Sequence, residues 1–324
     1  MSSRALPSEL VAHARERIEK GSKSFSAASK LFDPQTRDAV HLLYAWCRHC
    51  DDEIDDQELG FARGSSETNP SAVLATLRAE TIAALDGAPS QAPVYRGLAC
   101  VAEAYDFARE DPLAHLDGFE MDVADRHYET IEETLAYCYH VAGVVGVMMA
   151  RIMLRGSAEE TRDTLNRASD LGIAFQLTNI ARDVMDDVAI GRVYLPATWL
   201  REVGLSDVTP ASVGAEDNRA AVLGVVHRML DLADEYYDSA AVGIPRLPRR
   251  AVAAIAAARN IYRDIGWTLR AQGEHAYLTR ASTSRARKLL RVSQGIGQAL
   301  WFQGLPQVSD ATHARDGLWT RPGG

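Results

Sequence analysis

Apolar residues recur at helical spacing along almost the whole chain, in blocks separated by short polar or glycine-containing breaks. The first amphipathic block opens at Pro7-Ser8 and runs to about Lys20, and Gly21-Ser-Lys-Ser-Phe-Ser26 follows as a hydroxyl-rich break. Asp33-Pro34 starts a second helix, with Val40, Leu43, Trp46 and Cys47 at apolar positions, which ends before Gly60. After a polar loop over Gly64–Ser71, helical patterns cover Val73–Leu85, Pro93–Phe107 and Leu113–Ala124. Thr130-Ile-Glu-Glu133 has the form of a capping box ahead of a helix over Leu135–Leu154.

The next helix is expected over Glu159–Val188, with a break near Gly156 or Gly172, and it stops at Gly191-Arg-Val-Tyr-Leu-Pro196. Further helices are expected near Arg219–Ala241, Pro248–Arg270 and Ser284–Leu300, and Thr312–Gly324 reads as a frayed polar tail. Sustained strand alternation, a G-x-G-x-x-G and a P-loop are absent from the sequence, so the fold class is all-α. We expect one domain over 1–324, with 1–20 and 305–324 as peripheral ends.

Gly143 and Gly146 sit inside the expected helix, where each costs roughly 1 kcal/mol relative to alanine. Two things could offset that cost: close packing of another helix, or room for an elongated apolar ligand.

Two stretches break the amphipathic rule. They are Tyr44-Ala-Trp-Cys-Arg-His-Cys-Asp-Asp-Glu-Ile-Asp-Asp56 and Gln176-Leu-Thr-Asn-Ile-Ala-Arg-Asp-Val-Met-Asp-Asp187. On a wheel of about 100° per residue, Tyr44, Arg48, Asp51 and Asp55 share one face. Gln176, Asn179, Asp183 and Asp187 share another, with Arg182 to one side. Like charges at i,i+4 destabilise an isolated helix, so a chain that repeats the arrangement has cations to place there. Carboxylates are hard oxygen ligands suited to Mg²⁺, and arginine beside metal is the combination that holds a diphosphate. The bland alternative is a pair of solvated acidic faces.

Composition narrows the classes. A chain of 324 residues that is 47% hydrophobic can bury a large core, and a formal charge of −9 argues against a nucleic-acid partner. Four cysteines suit a reducing cytoplasm, and Cys47-Arg-His-Cys50 reads better as two small helical residues than as half a zinc site. The first 20 residues lack an apolar signal core, and the apolar run Val141–Leu154 is short for a bilayer and contains Arg151.

These motifs, together with Ser22-Lys-Ser-Phe25 and Tyr137-Cys-Tyr-His-Val-Ala-Gly-Val-Val-Gly146, resemble the squalene/phytoene synthase family, and within it the bacterial phytoene synthases. The resemblance runs from about Gly21 to about Leu290. It implies an isoprenoid-synthase bundle of helices with a central apolar cavity, and a prenyltransferase of carotenoid biosynthesis. The implied reaction joins two geranylgeranyl diphosphates head to head (1′-1) through prephytoene diphosphate to phytoene.

By the same resemblance Asp51, Asp55, Asn179, Asp183 and Asp187 hold Mg²⁺, or Mn²⁺ in its place. Ser22, Lys23, Ser24, Tyr44, Arg48, Gln176, Asn179 and Arg182 bind substrate and diphosphate. Tyr44, Arg48, Tyr137 and Tyr262 act near the reacting carbons, and Arg280 or Arg285 supplies a downstream basic contact. NADPH is not expected. The Gly143/Gly146 helix would wall part of an apolar tunnel, and the basic stretch Arg280–Arg291 would rest on a membrane surface or form a solvated face. The implied location is the cytoplasm with peripheral membrane contact, with product passing to downstream carotenoid enzymes. The competing expectations are a squalene or dehydrosqualene synthase using farnesyl diphosphate, and a non-catalytic assembly protein on the same fold.

Overall fold

A computed structural model of the chain describes residues 6–21, 29–54, 57–58, 61–62, 69–273, 275 and 315–323, and the statements that follow concern these. Their regular secondary structure is helical apart from one minimal antiparallel pair, Gln57–Glu58 with Phe61–Ala62. The expected helix over Ser284–Leu300 lies outside the described residues.

Contacts group the chain into two compact units, the first of residues 1–124 and 147–161, the second of residues 125–146 and 162–324. In the first unit, helix α1 (Ser8–Gly21) packs on α2 (Pro34–Ile54), and α2 in turn packs on α4 (Pro93–Ala104). Helices α3 (Pro70–Leu85) and α5 (Glu110–Val123) pack against each other. The start of α2 is fixed by local chemistry. Asp33 accepts hydrogen bonds from the Gln35 and Thr36 amides at 3.1 and 3.0 Å, and Pro34 takes the first helical position. Burial alone would raise the Asp33 pKa, but these hydrogen bonds hold it below the ordinary carboxylate range. Val40, Leu43 and Trp46, read from periodicity as core positions, are fully buried.

In the second unit, α6 (Ile131–Cys138) passes through a π turn (Tyr139–Gly143) into α7 (Val144–Leu154), whose later turns belong to the first unit. The capping box is only half formed: the Glu133 amide donates to the Thr130 hydroxyl at 3.4 Å, but the Glu133 carboxylate reaches one residue further, to the Glu129 amide. This composite helix starts earlier than expected, at Ile131, and spans 24 residues. By length and composition it could cross a membrane, yet Tyr137, Cys138, Val144, Val147 and Met148 are buried in the protein.

Of the two places expected for a break, the chain takes Gly156, which lies in the preceding loop at φ +68°, and helix α8 (Arg162–Ala189) runs unbroken through Gly172. Two short helices that periodicity missed, α9 (Ala197–Glu202) and α10 (Pro210–Gly214), precede α11 (Arg219–Gly243) and α12 (Arg249–Gln272). Helix α8 is the hub of this unit, touching α6, the π turn, α10, α11 and α12.

The internal glycines of α6–α8 resolve the choice left open by the sequence. A Cβ on Gly146 would stand 2.4 Å from the Ala168 carbonyl oxygen, and one on Gly172 would stand 2.3 Å from that of Ala142. The glycines therefore let two helix backbones touch. Gly143 likewise faces Ser169 and Ile173, so of the two alternatives close helix packing is the one that holds at these glycines.

The tail is also corrected. Residues 315–323 are tied to α8 and α11: Arg315 binds Asp170, Arg321 binds Asn166, and the Trp319 amide donates to the Tyr236 hydroxyl at 3.0 Å. A buried carboxylate with no partner nearby in sequence selects this contact.

Candidate active site

The first acidic motif occupies the last turns of α2, in the first unit. Arg48 reaches two carboxylates, with Nη1 2.9 Å from Asp51 and Nη2 2.9 Å from Asp52. Asp52 is fully buried and also accepts from Arg17 Nη2 at 3.2 Å, whereas the Asp51 side chain is 42% exposed. The two neighbouring aspartates thus divide the work: Asp52 ties α1 to α2 through Arg17 while also pairing with Arg48 of its own helix, and Asp51 faces outward. Tyr44 is half-buried on the same helix.

Cys47 and Cys50 are free thiols. Burial first, then the Asp51 charge, pushes the Cys47 thiol up, and burial does the same to Cys50, as expected of inert helical residues. Asp55, Ser22, Lys23, Ser24, Arg280, Arg285 and the basic stretch to Arg291 lie outside the described residues.

The second motif occupies the C-terminal half of α8, in the second unit. Arg182 Nε donates to Asp183 at 2.7 Å, and its Nη2 grips the other oxygen of the same carboxylate. Burial alone would lower the Arg182 pKa, but the Asp183 carboxylate more than offsets it. One turn earlier, Asn179 Nδ2 donates to Gln176 Oε1 at 3.3 Å, and Asn179 Oδ1 is buried with no hydrogen-bond partner.

Asp187 closes the helix. The Arg192 amide donates to the Asp187 carbonyl at 2.9 Å and the Gly191 amide to the Val188 carbonyl at 3.0 Å, with Gly191 at φ +84°. This is a Schellman cap, which needs a residue able to hold positive φ, and it explains why the helix stops at Gly191-Arg192.

Tyrosines flank the second motif within its own unit. Tyr262 stacks on Phe175 with centroids 4.2 Å apart, and burial raises its pKa despite the neighbouring Arg182. Arg263, next in sequence, is pinned to Asp234 and Asp238 of α11 at 2.6 Å each, which fixes the face of α12 that carries Tyr262. Tyr137 is buried in a stack with Tyr194, centroids 4.9 Å apart, and Tyr128 lies 5.3 Å away. A hydrogen bond from Thr134 Oγ1 to the Tyr194 carbonyl, and one from the Ala197 amide to the Tyr128 carbonyl, hold the stack.

Sequence reasoning passed over Phe175, Tyr128 and Tyr194, although Phe175 adjoins Gln176 and Tyr194 lies in Gly-Arg-Val-Tyr-Leu-Pro. It also passed over Asp52 and Arg17. The doubled Asp51-Asp52 pointed to the first, but nothing local points to Arg17.

Both motifs share an electrostatic oddity. A helix carries partial negative charge at its C-terminal end, which favours cations and disfavours carboxylates. Here Asp51, Asp52 and Glu53 lie in the last turn of α2, and Asp186 and Asp187 close the end of α8 with Asp183 one turn before. Neither last turn carries a base. A hard divalent cation fits that charge, and the orphaned Asn179 Oδ1 fits it as a neutral oxygen ligand.

The sequence profile described as squalene/phytoene synthase matches residues 18–287. A phytoene synthase of Pseudescherichia vulneris is 48% identical over 97% of this chain and 98% of its own length. A 15-cis-phytoene synthase of a Paracoccus strain is 47% identical over 97% and 99%. Among solved structures, a ligand-bound dehydrosqualene synthase covers 90% of this chain and 97% of its own at a TM-score of 0.77 and 26% identity. A squalene synthase of Alicyclobacillus acidocaldarius, 23% identical with a TM-score of 0.69 over 83% of this chain and 97% of its own, shares the fold. The chain belongs to the squalene/phytoene synthase family.

Proposed function

We propose that this prenyltransferase makes phytoene from two molecules of geranylgeranyl diphosphate, as the names of its 46–48% identical relatives suggest. One substrate loses diphosphate to give an allylic cation. The double bond of the second attacks it, and proton loss closes the cyclopropane of prephytoene diphosphate. Loss of the second diphosphate, rearrangement and a further proton loss give phytoene. The sequence is redox-neutral and needs no NADPH.

The observation that carries the reading is the pair of carboxylate motifs at helix C-termini, one of them beside a buried, unpartnered amide oxygen. Asp51 and Asp55 of the first motif and Asn179, Asp183 and Asp187 of the second would hold Mg²⁺. When bound, Mg²⁺ supplies the positive charge that makes diphosphate a leaving group. Arg48 and Arg182 are placed to exchange a carboxylate for a phosphate oxygen, since each already grips an acid of its motif. Ser22, Lys23 and Ser24 add hydroxyl and ammonium donors, while Tyr44 and Gln176 orient the substrate. Tyr137 and Tyr262 are held in aromatic stacks, and such faces stabilise a nearby carbocation without attacking it. A water-free site protects the cations from hydrolysis.

The product is a C40 hydrocarbon that water cannot carry. We therefore place the enzyme in the cytoplasm at a membrane surface, where downstream carotenoid enzymes take the product up. The test is incubation with geranylgeranyl diphosphate and Mg²⁺, without NADPH, followed by identification of the extracted hydrocarbon. Phytoene is expected, and its formation is expected to stop on chelation. A C30 hydrocarbon made from farnesyl diphosphate alone would move the substrate to that of the dehydrosqualene synthases. No product from either substrate would overturn the reading.

A further inference from the structure

Helix α8 also carries a buried charge outside its acidic motif. Asp170 lies more than three turns before Asp183 and is fully buried. Its cation comes from 145 residues away: Arg315 Nε donates to Oδ2 at 2.8 Å and Nη2 to Oδ1 at 2.7 Å, a bidentate pair completed by Ser239 Oγ on Oδ2 at 2.5 Å. Arg315 is itself only 12% exposed. Its Nη2 also donates to the Trp319 carbonyl at 3.2 Å, which folds the segment back on itself.

Trp319 touches two further elements. Its amide donates to the Tyr236 hydroxyl of α11, and its ring meets that of Tyr139, with centroids 5.4 Å apart. Tyr139 opens the π turn, two residues after Tyr137. Arg321 then holds Asn166 of α8 at 2.9 Å. Residues 315–321 therefore clasp both partners of the glycine crossing, where Gly146 meets Ala168 and Gly172 meets Ala142. The crossing itself is held by backbone contact and by few side chains, and the clasp adds a charged and an aromatic contact that bear on the register of the two helices.

We propose that Arg315 is a positioning residue for the second acidic motif: through buried Asp170, and with Trp319 on Tyr139, it fixes the register of α8 against the π-turn helix and so places Asn179 and Asp183. The proposal rests on the reading that α8 holds Mg²⁺ and diphosphate. Removing one partner of a buried pair leaves an uncompensated charge, whereas neutralising both relieves it, and that asymmetry makes the proposal testable.

The experiment compares the full-length chain with R315Q, D170N/R315Q and W319A. It measures melting temperature, and the affinity for inorganic diphosphate in Mg²⁺ by calorimetry, well below the melting point. R315Q should melt about 5–10 °C lower and bind diphosphate roughly 10-fold more weakly. The double variant should recover most of both losses, and W319A should weaken diphosphate binding while Asp170 stays paired. Unchanged diphosphate affinity in folded R315Q would reduce the segment to general stabilisation and overturn the proposal. A double variant no better than the single would overturn it too. Should R315Q fail to fold, R315K keeps the charge but not the fork, and an affinity equal to that of the parent would count against the proposal. If the parent chain itself binds no diphosphate, the functional reading has failed, while the melting temperatures still decide the Asp170 pairing.

Discussion

Asn179 donates its amide hydrogen to Gln176 and by doing so leaves its own carbonyl oxygen buried without a partner. A buried acceptor without a hydrogen bond costs the protein stability, and this one lies on the face that carries Asp183, where the proposed Mg²⁺ site would give it a partner. Asn179→Leu should therefore weaken Mg²⁺-dependent diphosphate binding at least about 10-fold while leaving stability level or slightly raised. Calorimetry and urea denaturation read the two quantities separately. A loss of stability with undiminished affinity would show that the oxygen is structural.

The neighbouring acids Asp51 and Asp52 should part company under substitution. Asp52→Ala strands Arg17 and Arg48 beside a buried site and should cost roughly 3–5 kcal/mol of stability. Asp51→Asn loses an outward-facing ion pair with Arg48, worth about 0–1 kcal/mol, yet should abolish turnover. Urea midpoints and product assays on the two proteins give the comparison. Equal destabilisation by both would remove the division of labour.

Glycine-to-alanine exchanges should change sign with position. Gly224 of α11 is exposed with open space around its α-carbon, so alanine there should stabilise by about 0.5–1 kcal/mol. At Gly146 or Gly172 the same exchange puts a methyl group against a backbone carbonyl and should destabilise by roughly 1–3 kcal/mol or more. Thermal unfolding of the three variants checks the order.

Acid should weaken the first unit through His41. This residue is buried with Nε2 2.8 Å from Ser29 Oγ, and burial, the largest influence, lowers its pKa to about 4. The unfolded chain takes up the proton near the ordinary value of about 6.5. Stability from neutral His41 is thus complete above that value and declines as the pH falls from there toward 4. His41→Leu should flatten this part of the stability–pH profile, and an unchanged slope would assign the acid sensitivity elsewhere.

What could be read from the chain alone follows the range of the forces involved. The helix start at Asp33-Pro34 and the stop at Gly191 depend on neighbours within a few residues, and they were legible. The acidic faces were legible because i,i+4 carboxylates are a local anomaly. The partner of Asp170 was not, since a polar segment such as 315–323 has the composition of a loose end until a buried acid elsewhere gives it a contact. Asp170 itself held the clue, as an acid inside the apolar run Ala168-Ser-Asp-Leu-Gly-Ile-Ala174. The glycines were ambiguous for a similar reason: a missing side chain suits a ligand and a neighbouring helix equally well, and only the 2.4 Å approach to Ala168 decides.

The π turn over Tyr139–Gly143 lengthens its helix without turning the face of what precedes it. Its wider loop holds one residue more than an α-helical path would. Five residues of the wider winding sweep about the same angle as four α-helical residues at about 100° each, so Tyr137 and Gly146 keep the mutual angle of an uninterrupted helix one residue shorter. Removing a single residue inside the turn should therefore close the hydrogen-bond ladder as ordinary helix and leave the Tyr137 ring on Tyr194. The same deletion in the regular turns of α6 would rotate everything before it by about 100°. This helix thus has one place where its length can change without a change of face, a form of variation that substitution scanning never samples.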